Sequence, residues 1–159
     1  MSAGAALIQH SLAWVLEDLH AHIAESVLQV DKRALRWQPV PGIGPVADLI
    51  EHAVAVERQW IAGGVAGVSS FEADCGAGEE TLFGGSHLLH QLGCTGQISQ
   101  TILASLSPSE WTSERVVAGD ATTVAGCVVH VLVELARTMG QVQLVCQLWQ
   151  ASRTKEAVP

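Results

Sequence analysis

Residues 35–61, LRWQPVPGIGPVADLIEHAVAVERQWI, decide the fold. Pro39, Pro41, Gly42 and Gly44 cannot continue a helix, so the segment from Asp31 to Gly44 reads as a connection, with Leu35 and Trp37 apolar enough to plug one end of a core. Pro45 then suits a first helical turn, and Val46, Leu49, Ile50, Ala53, Val56 and Trp60 recur at helical spacing. A helix is predicted to about Ile61, closed by Gly63 and Gly64. His52 falls at the edge of its apolar face and Glu57 inside that face. A buried carboxylate needs a partner, and Arg36, Arg58 and Arg137 are the candidates.

A second stretch answers the first. In residues 128–149, VVHVLVELARTMGQVQLVCQLW, a projection at about 100° per residue gathers His130, Glu134, Arg137, Thr138 and Gln141 into one arc. Val128, Val131, Leu135, Met139 and Val142 occupy another arc, while Val129, Val133 and Leu144 lie beyond the polar one. The polar arc either faces water or forms a seam: apolar residues on both its edges suit a sandwiched helix or a dimer interface. Glu57, Trp60, Thr138 and Gln141 are the expected pocket residues.

Working outward, Ile8, Leu12, Val15, Leu16, Leu19, Ile23 and Val27 mark a long amphipathic helix from Ala5 to about Val30. The Gly-, Ser- and acid-rich stretch Val65 to Gly85 reads as a long loop, either a lid or a disordered connection. A third helix is expected from Ser86 to Leu106, loosened by Gly93 and Gly96, and a fourth from about Thr122 to Gln150. Arg115–Val117 is a short extended piece with no second strand of comparable quality, which argues against a sheet domain. The economical architecture is all-α, an up-down four-helix bundle over residues 1–152, with 153–159 as a frayed tail.

Composition excludes some partners. The net charge is −8, from 16 acidic and 8 basic residues, and no Lys/Arg cluster exceeds Lys32-Arg33, so binding to a phosphate backbone is not expected. No apolar run approaches the roughly 20 residues of a membrane span, and the N-terminus lacks the basic start of a signal peptide. Cys75, Cys94, Cys127 and Cys146 show no CxxC pairing and suit reduced thiols, with Cys127 and Cys146 packed as small apolar residues. A cytoplasmic location is the expectation.

Two accounts of the polar residues stand side by side. In one, Glu57 pairs with an arginine and His52 is a hydrogen-bonded rim residue. In the other, His52 and either His130 or Glu134 converge on a divalent metal between facing helices, leaving a coordination position open for an activated water. His10, His20, His22, His87 and His90 have no spacing that sets them apart from surface or packing histidines.

The pattern Leu35-Arg36-Trp37-x-Pro39-x-Pro41-Gly42, then Leu49-Ile50-x-His52 and Glu57-x-x-Trp60, resembles the DinB/YfiT-like superfamily, as do Thr123-Val124 and Gly140-Gln141. The resemblance implies a four-helix bundle, often a homodimer, whose metal-binding members hold nickel or zinc with three histidines. Some of those members are thiol-dependent transferases. The family's helix-two histidine carries over to His52, but its helix-four pair falls on Glu134 and Thr138, with His130 one turn earlier as the only substitute. Thr138 is a poor ligand for nickel or zinc. The departure implies a bundle with a degenerate metal site, acting as a binding or structural dimeric module. The alternative is a divalent-metal-dependent thiol S-transferase-like or hydrolase-like enzyme using His52 and Glu134 on a small-molecule or thiol ligand.

Overall fold

The computed structural model describes residues 3–68 and 85–156. Four helices carry the architecture: α1 (Ala3–Leu28), α2 (Val46–Glu57), α3 (Gly85–Ser105) and α4 (Val124–Glu156). Helices α1 and α2 each pack against both α3 and α4. Most of the loop expected between Val65 and Gly85 lies outside the described residues. No helix among those described is long and apolar enough to cross a membrane.

The core follows the helical periodicity. Leu16, Leu19, Ile23 and Val27 of α1, Val46, Ile50, Ala53 and Val54 of α2, Leu88, Leu92 and Leu103 of α3, and Val124, Val128, Val131, Leu135, Val142 and Val145 of α4 are all buried together. Fully burying such a side chain stabilises the fold by roughly 1.5–3 kcal/mol each. The connection after α1 turns on Asp31, whose Oδ1 accepts from the backbone N–H groups of Arg33 and Ala34. Leu35 is buried beneath it, and Trp37 meets Trp149 of α4 edge to face, with ring centroids 5.5 Å apart. Arg153 of α4 pairs with Asp31 at 2.8 Å, which fastens the same connection from the other side.

Three details depart from expectation. Helix two does not stop at Gly63-Gly64 but widens into a π-helical segment, Arg58–Val65. It ends instead at Gly67, whose φ of +71° allows its N–H to reach Gly63 O at 3.0 Å. Gly64 serves a different end: a Cβ there would stand 2.6 Å from Val117 Cγ2, so its lack of a side chain admits the neighbouring strand.

A second strand also exists. Strands β1 (Glu114–Val117) and β2 (Asp120–Thr123) pair antiparallel, from Glu114 opposite Thr123 to Val117 opposite Asp120. Ala118 and Gly119 form the tight turn, both at positive φ, a conformation usually signalled by Asn-Gly or Asp-Gly. Thr123 then caps α4, its Oγ1 accepting from Gly126 N–H at 3.1 Å.

The third correction concerns the cysteines. Cys127 and Cys146 are free and buried as expected, and burial raises the pKa of both thiols. Cys94 on α3, in contrast, is disulfide-bonded to a partner outside the described residues. Spacing along the chain does not report the approach of two Cα atoms that a disulfide requires. The thiol-based argument for a reducing compartment therefore falls.

Candidate functional site

The buried face of α2 contains Val46, Ile50, Ala53, Val54 and Glu57. Glu57 follows the same stripe as its apolar neighbours and is fully buried. Its partner is none of the three expected arginines. His20 Nε2 of α1 lies 2.8 Å from Glu57 Oε2, bridging two helices through the bundle interior. Arg58 turns to α3, donating from Nε to Thr95 Oγ1 at 3.1 Å, and Arg137 pairs within α4. Glu57 Oε1 is buried and accepts no hydrogen bond among the described residues.

His20 escaped the sequence reading, although a signal was present. It stands four residues after Leu16 and three before Ile23, both buried, which puts it in the middle of the core stripe of α1. The facing helix makes room: a Cβ on Gly96 would come within 3.0 Å of His20 Nδ1. The glycine that loosens the stripe of α3 in sequence is thus the one against which the imidazole lies.

The polar arc of α4 divides in two. Glu134 and Thr138 are buried, while Arg137 and Gln141 are exposed. Glu134 Oε1 accepts from Arg137 NH2 at 2.6 Å. His130, half-buried, stacks on Trp60 of the π-helical segment with centroids 3.8 Å apart and an interplanar angle of 25°. Trp60 and His130 thus join α4 to the π-helical segment, and Glu134 and Thr138 are buried on the same helix.

His52 is not among them; it is exposed. At about 100° per residue His52 and Glu57 are separated by about 140°, so the face that buries Glu57 turns His52 outward. Among the described residues, no three His, Cys, Asp or Glu side chains come together as a metal-holding group. Glu134 is held by Arg137, and Trp60 covers the face of the His130 ring. His52, His130 and Glu134, the expected ligand set, are not gathered into one site.

The bundle superposes on the crystal structure of a DinB-like protein from Bacillus subtilis, YjoA, with a TM-score of 0.68 over 86% of this chain and 90% of that one. The fold is DinB-like. The two sequences are 12% identical, so the likeness extends to the DinB-like bundle and not to its chemistry. No protein-family model and no curated protein matches the sequence.

Proposed function

We propose that this DinB-like bundle acts as a binding module in which the family's α2–α4 metal centre has been replaced by a side-chain seam. The observation that carries the reading is the 2.6 Å pair between Glu134 and Arg137, with Thr138 buried one turn after Glu134. By the resemblance, Glu134 and Thr138 stand where the metal-binding relatives have histidines. A carboxylate held by a guanidinium in the same helix is a structural group, and a buried hydroxyl beside it adds no ligand suited to zinc or nickel.

Elemental analysis of the purified, untagged protein beside Glu134→Ala tests the reading. The expected result is well under one divalent ion per chain in both proteins. About one ion per chain in the wild type, lost in the variant, would overturn it and restore the thiol-transferase-like alternative.

The same module is proposed to work as a homodimer through α4. Val129, Val133 and Leu144 are 49%, 55% and 46% exposed and fall on one side of the helix, with Leu148 continuing the line. Nothing is within 4 Å of a Cβ placed on Gly140, between Val133 and Leu144, so the stripe is open for close approach by a second helix.

A further inference from the structure

The His20–Glu57 pair does not belong to the α2–α4 seam. It stands behind an open groove between α1 and α3, about 590 Å³ in volume, bordered by Glu17 and His20 on one helix and by Gly93, Gly96, Gln97 and Gln100 on the other. Stability alone is a poor reason for this pair. Removing a carboxylate from water costs several kcal/mol, and a single hydrogen bond with one oxygen left unpaired recovers only part of that. An apolar residue at position 57 would serve the core better.

The pair does fix the imidazole. A carboxylate only accepts, so in the neutral ring the proton sits on Nε2 and Nδ1 is left as an acceptor. The Nδ1 edge lies against Gly96, and both residues border the groove. Gly96 is buried, and any side chain there would push into the ring at 3.0–3.4 Å. The groove wall is thus held from both sides: Glu57 orients the ring from the interior, and Gly96, lacking a side chain, makes room for its far edge. Gln100 is pinned by its Nε2 donating to Ala13 O at 2.7 Å, which ties the two helices at this point.

The charge of the lining selects the ligand. Glu17 supplies a carboxylate at the mouth, and no lysine or arginine borders the groove. An anion would meet the Glu17 carboxylate with no lysine or arginine to hold it, in a chain whose net charge is −8. A donor-bearing cation would satisfy Glu17 and His20 Nδ1 together. We propose that the α1–α3 groove is a binding site for a small organic amine, with His20 Nδ1 and the Glu17 carboxylate as its acceptors and Glu57 as the positioning residue behind His20.

The site is independent of the seam reading, and metal found on Glu134 would leave it standing. Long-range 1H–15N NMR of the His20 ring in the full-length protein provides the test, with ethanolamine, putrescine and spermidine as probes and inorganic phosphate as the opposite charge. A saturable shift of the Nδ1 resonance is expected with at least one amine and not with phosphate. Glu17→Gln, an exposed change that leaves the core alone, is expected to weaken it several-fold. Gly96→Ala is expected to abolish it, with circular dichroism checking that the helices remain. An Nδ1 resonance unmoved by all three amines, or moved by phosphate instead, overturns the proposal. So does an amine response unchanged in Glu17→Gln.

Discussion

Glu57 is a residue whose chemistry and position disagree, and one imidazole reconciles them. Its place on α2 follows from the apolar stripe, while its hydrogen bond comes from a helix more than thirty residues earlier in the chain. The side chain of His20 is only 12% exposed, so removing it strands a carboxylate in the interior. His20→Ala is expected to lower stability by about 3 kcal/mol in urea denaturation. Glu57→Gln, which keeps the shape and an acceptor oxygen, is expected to lower it by less than half as much. Equal losses in the two variants would mean that the pair contributes by packing and not by hydrogen bonding. The burial of Glu57 was legible in sequence because it depends on local periodicity. Its partner was not, because three arginines were chemically better suited and only the packing of α1 against α3 and α4 brings His20 to it.

At the scale of elements, the helices were legible and their ends were not. Periodicity sets which side of a helix is buried over many residues, so shifts of a residue or two at either end do not matter. The end of the α2 run was misread because two consecutive glycines suggested a stop, whereas Gly64 is there to admit Val117 and Gly67 makes the turn. The hairpin was hidden for a related reason. Ala118 adopts φ +56°, which an L-residue with a Cβ takes at a cost of roughly 1–2 kcal/mol, so no turn motif advertised it. Gly64→Ala separates the two explanations of the glycine pair. If Gly64 is a contact residue, alanine is expected to destabilise by about 1–3 kcal/mol despite its better helix propensity, because buried Val117 has little room to give. A gain in melting temperature would instead show that the strand yields freely.

For the whole molecule, the exposed line on α4 is the unfinished surface. Val129, Val133 and Leu144 were read in sequence as residues beyond the polar arc and Leu148 was not, since amphipathicity says which face is apolar and not which apolar face meets the bundle. Light scattering after size exclusion is expected to give twice the chain mass for the wild type and the single chain mass for Val133→Glu, with unchanged helicity. A wild-type monomer at micromolar concentration would remove the dimer from the proposal. The candidate site was the least legible part. Periodicity marked Trp60, His130, Glu134 and Thr138 as polar or aromatic positions on inward-turned arcs, but His52 projects outward and the His20 groove had no sequence motif at all.

The tryptophan pair at the end of the core has an optical consequence. Trp37 sits on the connection and Trp149 near the end of α4, and two indoles 5.5 Å apart couple their electronic transitions. The molecule therefore carries its own gauge of whether the connection is docked on the last helix, readable from the intact protein without any label.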